Sequence, residues 1–310
     1  MKKTGNSIYP KSLQPGDCIG LVAPAGQLRD QKSLESGVAI LTEMGFEVRF
    51  PRSLWPGSGY LADTDSNRAL EFHKMWINPE ISALLALRGG FGSLRLLPFL
   101  DPVEIKKENK LFIGFSDITI LHSALLQTNN LITLHGPVLT SLASLCRDSL
   151  QNFYACVTGN WNKTITYPQT EVLRDGDTVN GRLIGGNLSS LVSLLGTGAD
   201  QDWRGKIVFL EDVGEPLYRL DRMLTQLWHC GKLNQPAGII LGDFSLHADQ
   251  DSLEKIRFHE EIWNRILELT EVSALPVWGN FPIGHGAENI CLPHGSHASM
   301  DSGRITLLFT

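Results

Sequence analysis

Apolar residues along this chain fall into short unbroken runs separated by longer amphipathic stretches, and that alternation predicts a mostly parallel sheet covered by helices. CIGLVAPAG (18–26) reads as a buried strand that breaks at Pro24 and Gly26, and the helical pattern DQKSLESGVAILTEMG behind it ends at Gly45. FEVRFP is a second short strand. Beyond a loop rich in Gly, Ser and Asp, NRALEFHKMWIN is helical, ISALLAL is a strand, and RGGFGSLRLLPFLD turns that strand into a short helix limited by Pro98. LFIGF is the next strand and DITILHSALLQ the next helix, with Ile118, Leu121, Leu125 and Leu126 on one face; LITLHGPVL adds another apolar segment. Ligands of such sheets bind at the carboxyl ends of the strands.

From 151 to 178 the texture turns polar and turn-forming, as in NWNKTITYPQTEVLRDGDTVNG. A linker is expected there, between an N-terminal domain at 1–150 and a C-terminal domain at 179–310. The second half opens with GRLIGGNLSSLVSLLGT, read as strand, glycine turn and helix. Then come the strand GKIVFLEDVGE, the helix LYRLDRMLTQLWHCG, the strand AGIILGDF and a turn-rich tail of short strands ending in GRITLLF. No internal repeat or low-complexity tract interrupts the pattern.

A length of 310 residues fits two domains of ordinary size, and 42% hydrophobic with 19% charged residues is a globular composition. The formal charge of −6 and the lack of any basic block argue against nucleic-acid binding, which rests on clustered Lys and Arg. The opening MKKTGNSIYPKSLQPGD has no apolar signal-peptide core, and no run approaches membrane-spanning length, so a soluble cytoplasmic protein is expected. Cys18, Cys146, Cys156, Cys230 and Cys291 are odd in number and lack a C-x-x-C pair, as reduced, packed thiols do.

Candidate chemistry centres on GFSD (114–117). Gly114 permits a sharp bend after the strand, Ser116 is presented at its carboxyl end, and the Asp117 amide at the helix start can face an oxyanion. The pattern lacks the final glycine of a G-x-S-x-G elbow, and a serine that merely caps a helix is the competing reading. A serine hydroxyl needs a base, and the base needs a third group to hold it. Among nine histidines, His122, His229, His73 and His259 fall on helical stretches. His135 in TLHGP is a rival at the sheet's carboxyl edge, and His285 stands between two glycines in NFPIGHGAENICLP, where no periodicity explains it. For the acid, Glu211 leaves the strand KIVFL and Asp243 holds the equivalent place after GIILG; spacing does not separate them. Asp212 and Glu215 suit the turn and the helix N-terminus.

RGGFGS (88–93) allows close backbone approach, so an amide of Gly89 or Gly90 can complete an oxyanion hole with that of Asp117. It is not a phosphate fingerprint, because no third glycine follows at the right spacing and no G-K-[ST] occurs. No H-E-x-x-H occurs either, and His294 and His297 in HGSH lack helical spacing, so no metal is expected.

Taken together, GFSD, FLEDVGEPLYRLDRML and PIGHGAEN resemble the LD-carboxypeptidases, serine peptidases that act as muramoyltetrapeptide carboxypeptidases, with microcin C immunity proteins as relatives. LVAPAG, LRGGFGSLRLLPFLD and LIGGNLSSLVSLLGT look like further landmarks of that family, so the resemblance spans nearly the whole chain. It implies a triad of Ser116, Glu211 and His285. It also implies an α/β fold: an N-terminal parallel-sheet domain similar to class I glutamine amidotransferases carries the nucleophile, and a C-terminal domain of swivelling type carries acid and base. Absence of metal and cofactor, a homodimer, and removal of the terminal D-Ala from murein tetrapeptides during cell-wall recycling are implied as well. Cleavage of an aminoacyl-nucleotide antibiotic is the alternative. A carboxypeptidase must hold its substrate's free carboxylate, for which Arg88, Arg219 and Arg222 are candidates.

Overall fold

The computed structural model describes residues 7–52, 57–161, 164–246, 251–304 and 306–309. The two N-terminal lysines in the stretch read as lacking a signal peptide lie outside the described residues. The chain divides into two compact units. The first holds the described residues up to Asn160, together with Gly196–Ala199 and Ile290–Gly295.

Its sheet contains β1 (Cys18–Val22), β2 (Glu47–Arg49), β3 (Ala83–Ala86), β4 (Leu111–Gly114) and β5 (Thr133–His135). They are parallel, in the order β5-β4-β3-β1-β2, and the strand Leu292–His294 joins the β5 edge antiparallel, pairing Leu292 with His135 and His294 with Thr133. Every residue of β1, β3 and β4 is buried, which is why these strands are continuous apolar runs. The helices are α1 (Gln31–Glu43), α2 (Asp65–Ile77), α3 (Pro102–Ile105), α4 (Thr119–Asn129) and α5 (Arg147–Val157). Asp30 starts α1 by accepting from the amides of Lys32 and Ser33, and Gly45, at φ +91°, follows its end.

The core is aromatic where α2 meets the sheet: Phe72 stacks on Trp76 with centroids 5.5 Å apart and meets Phe112 edge-on at 5.6 Å. Trp76 donates its indole N–H to the Ile105 carbonyl at 3.1 Å, so the buried ring leaves no polar cost. Two local expectations change. Ser93–Phe99 is a 3-10 helix with Pro98 inside it. α4 is buried from Thr119 through Leu126 rather than on one face.

The second unit holds the described residues of 161–195, 200–289 and 296–309. Its strands are β6 (Thr164–Thr166), β7 (Glu171–Arg174), β8 (Val179–Asn187), β9 (Ile207–Val213), β10 (Gly238–Ser245), β11 (Val277–Gly279), β13 (His297–Asp301) and β14 (Thr306–Phe309), with β12 being the Leu292–His294 strand of the first unit. The sheet runs β6-β14-β13-β8-β9-β10-β11-β7, and β8 to β11 are parallel. α6 (Leu188–Ser193), α7 (Leu217–His229) and α8 (Ser252–Leu269) follow β8, β9 and β10 in the manner of βαβ units.

The stretch expected as a linker, 151–178, carries most of α5 and the strands β6 and β7. Its polar texture belongs to edge strands: β6 and β7 close the two ends of the sheet, where half the side chains meet water. The glycines expected as a turn after β8 also differ, since Gly185 and Gly186 lie inside the strand, and a Cβ on Gly185 would overlap the Phe209 carbonyl of β9. No helix among the described residues is long and apolar enough to cross a membrane.

Candidate active site

Ser116 stands at the carboxyl end of β4, after the extended Phe115 and at the start of a 3-10 turn, Ser116–Ile118, that leads into α4. Its φ is +63°, a left-handed conformation that costs a non-glycine residue about 1 kcal/mol or more and is found where function holds a side chain in place. Gly89 packs directly on it: a Cβ at Gly89 would lie 2.8 Å from Ser116 Cβ and 3.0 Å from Oγ. The turn after β3 therefore meets the serine through Gly89, while Gly90 lies against Gly26 and Arg88.

That turn is pinned on both sides. The Gly89 carbonyl accepts from the Gly26 amide at 3.2 Å and from Arg88 Nε at 3.3 Å, while Arg88 Nη1 donates to the Gln27 carbonyl at 3.0 Å. Burial, helped by the charge of Arg29, pulls the Arg88 guanidinium below its usual pKa. At the far end Arg68, fully buried on α2, donates through Nη1 to the carbonyls of Gly92, at 3.1 Å, and Pro24. Its Nη2 meets Asp65 at 2.5 Å and its Nε the Asp63 carbonyl at 3.1 Å. Arg68 was invisible in the sequence, because on an amphipathic pattern it reads as part of the polar face.

Asp117 contributes its carboxylate to this frame. Oδ2 accepts from the Ser93 amide at 2.8 Å; burial raises the carboxyl pKa, against the opposing pull of the Ser93 bonds and the Arg68 charge. The rival base His135 is fully buried in β5, with its ring 6.2 Å from those of Phe115 and His122. His122 is fully buried too, bonded to the Gly114 carbonyl and Thr133 Oγ1 at 2.8 Å each, and burial lowers its pKa to about 4. Its Nε2 must donate to the carbonyl, so the ring is neutral with the hydroxyl donating to Nδ1.

In the second unit, Glu211 is fully buried near the carboxyl end of β9 and its Oε2 accepts from His285 Nδ1 at 2.8 Å. Because an ionised carboxylate only accepts, this bond places the proton on Nδ1 and leaves Nε2 as the basic nitrogen. Burial lowers the His285 pKa, but the Glu211 charge and hydrogen bond, with Asp212 and Asp243 behind them, outweigh it and the net shift is upward. The loop carrying His285 runs along β10, with the Asp243 amide donating to the Ile283 carbonyl at 2.8 Å.

Geometry thus separates the two acids that spacing left equal. Asp243 is occupied by Lys255 Nζ at 2.7 Å and lies 3.5 Å from His259 Nε2; burial raises its pKa, but these α8 partners win and hold it below the ordinary value. Asp212 turns to α6, accepting from the Ser189 amide at 2.8 Å and hydroxyl at 2.7 Å; burial and the Glu211 charge push it up to about 6. Glu215 pairs with Arg219 at 3.4 Å. Arg219 and Arg222 are exposed on α7, their guanidinium carbons 6.0 and 5.7 Å from the Tyr218 ring centre.

The arrangement offers a serine at a strained, glycine-lined turn in one unit and an imidazole polarised by a buried carboxylate in the other. Models of the LD-carboxypeptidase N-terminal and C-terminal domains match residues 19–136 and 180–300. The probable murein peptide carboxypeptidase of Bacillus subtilis is 35% identical, covering 96% of this chain and 92% of that protein. The murein tetrapeptide carboxypeptidase of Pseudomonas aeruginosa is 33% identical, covering 97% and 99%. Among solved structures, an MccF-like protein from Bacillus anthracis superposes with a TM-score of 0.86 at 25% identity, covering 98% of this chain and 99% of that one. Two matched domains in the right order, and relatives alike over almost their full length, show that this chain belongs to the LD-carboxypeptidase family.

Proposed function

We propose that the protein is a serine LD-carboxypeptidase that removes the terminal D-Ala from murein tetrapeptides, with Ser116 as nucleophile, His285 as general base and Glu211 as its orienting acid. The observation that carries the assignment is the 2.8 Å bond from His285 Nδ1 to the buried Glu211, which fixes the tautomer a triad base requires. His285 Nε2 takes the Ser116 proton as Oγ attacks the carbonyl of the diamino acid, and Glu211 stabilises the imidazolium. The amides of Asp117 and of Gly89 or Gly90 receive the oxyanion, at about 3 kcal/mol per donor. The protonated His285 then hands its proton to the leaving D-Ala amine, and water, activated by the same imidazole, hydrolyses the acyl-serine.

Arg88 is the preferred holder of the substrate's free carboxylate, since it lies beside the Ser116 turn and bonds only carbonyls among its described partners. Arg219 and Arg222 are weaker choices, being exposed against Tyr218. A cytoplasmic role in peptidoglycan recycling, a homodimer, and the likeness of the two units to class I glutamine amidotransferases and to swivelling domains belong to the same proposal.

Purified protein given a murein tetrapeptide is expected to release free D-Ala, and Ser116→Ala is expected to lose both this and labelling by a serine-directed phosphonate. Absence of release, with labelling intact, would overturn the murein assignment. The likeness to an MccF-like protein supports a second reading, cleavage of an aminoacyl-nucleotide antibiotic, tested with such a conjugate in the same assay.

A further inference from the structure

Two large aromatic side chains stand out of the surface beside the Ser116 turn. Tyr60 is 59% and Phe91 52% exposed, and their rings meet edge to face with centroids 5.7 Å apart. Phe91 is two residues from Gly89, which packs on Ser116, and lies between Gly90 and Gly92, at φ +115° and +125°. These backbone turns are not loose: the Gly89 carbonyl is held by Gly26 and the Gly92 carbonyl by Arg68. Tyr60 is tied in as well, its carbonyl accepting from the Gln27 amide at 3.1 Å. Rings anchored in this way, with more than half of each open among the described residues, form a preorganised apolar contact surface.

The occupant follows from the chemistry of the proposed substrate, on which this inference rests. A murein tetrapeptide is made of small or linear side chains and offers no flat apolar face. The pyranose of the attached N-acetylmuramyl group does, and the C–H face of a sugar packs well on aromatic rings. We infer that Tyr60 and Phe91 form a saccharide subsite, so that the enzyme prefers glycosylated tetrapeptide to the free peptide.

The test compares kcat/KM for a tetrapeptide with and without its N-acetylmuramyl sugar. The wild type is expected to favour the glycosylated form by about tenfold, and in Tyr60→Ala and Phe91→Ala that ratio is expected to fall towards unity. Phe91→Leu keeps apolar bulk without a flat ring and is expected to lose most of the preference too. Equal rates on both substrates in the wild type, or a preference unchanged in the variants, would overturn the subsite. A loss confined to an aminoacyl-nucleotide conjugate would reassign the rings to a nucleobase and overturn it likewise. Cleavage of neither tetrapeptide is a different result, and sinks the functional reading itself.

Discussion

Arg68 binds the carbonyl of Gly92 at 3.1 Å from within the core, joining α2 to the glycine turn that packs on Ser116. The same guanidinium reaches Pro24, so one buried charge holds both loops that flank the serine. Arg68→Met is expected to cost about 3 kcal/mol of stability by leaving the carbonyls of Pro24, Asp63 and Gly92 without this donor and Asp65 with Arg95 alone, and to lower kcat about 100-fold with little change in KM. Arg68→Lys, which keeps the charge and one donor direction, is expected to recover part of the kcat loss. Rates per phosphonate-titrated site, set beside urea melts, separate a displaced turn from unfolded protein.

Gly89→Ala tests the turn from the other side. The new methyl would lie 2.8 Å from Ser116 Cβ and 3.0 Å from Oγ, closer than side chains pack, so either the turn or the serine must move. A fall of about 100-fold in kcat is expected, with stability reduced by about 1–3 kcal/mol. Circular dichroism melts and single-turnover acylation would show both.

Arg88→Ala is expected to raise KM for tetrapeptide at least about tenfold while kcat falls less, since a removed carboxylate partner weakens ground-state and transition-state binding alike. Steady-state kinetics with the tetrapeptide and its C-terminal amide check this, because the amide has no carboxylate to lose and is expected to be cleaved alike by both forms. Unchanged KM in the variant would remove Arg88 from the binding site.

The pH profile follows from the Glu211–His285 pair. The His285 pKa is raised, burial notwithstanding, by the adjacent carboxylate, and only the neutral ring can accept the Ser116 proton. The acid limb of kcat/KM is therefore expected to have its midpoint above about 6.5, the ordinary histidine value. Glu211→Gln is expected to move that limb down and to lower the plateau about 10³-fold or more. The sign for stability is opposite: the charged pair stabilises the fold fully below about pH 6.5 and is lost as pH rises through the native value. Denaturant melts of wild type and Glu211→Gln across that range measure it.

His122 predicts acid sensitivity elsewhere in the first unit. Its pKa is held down to about 4 by burial, so the folded state resists a proton that the unfolded chain takes up near 6.5. Stability is expected to fall as pH drops from about 6.5 to 4, by roughly 3 kcal/mol in all. His122→Gln, which can still donate to Gly114, is expected to flatten that slope, as read from urea midpoints at several pH values.

Much of this was legible in the chain. β1, β3 and β4 could be read because both their faces are buried and nothing polar interrupts them. The turn position of Ser116 could be read from its flanking glycine. What escaped was decided at a distance. β12 is a strand because it pairs with β5, and Gly185 and Gly186 are strand rather than turn because they pair with β9, which passes too close to Gly185 for a side chain. Glu211 and Asp243 occupy equivalent strand ends, and what distinguishes them is that Glu211 is bonded to His285 while Asp243 is held by Lys255 and His259 on a helix that follows. Arg68 and Glu71, one helical turn apart on α2, look solvent-facing, yet both are buried as props for the loop at 23–26.

The antiparallel pairing of Leu292–His294 with β5 bears on how the protein can be dissected. Cutting after Asn160 would release a fragment whose outermost hydrogen-bonding row is bare, inviting self-association. A stable excised piece would need those late residues grafted back, for example by circular permutation, and ribosomal synthesis must pass His294 before the first sheet can finish assembling.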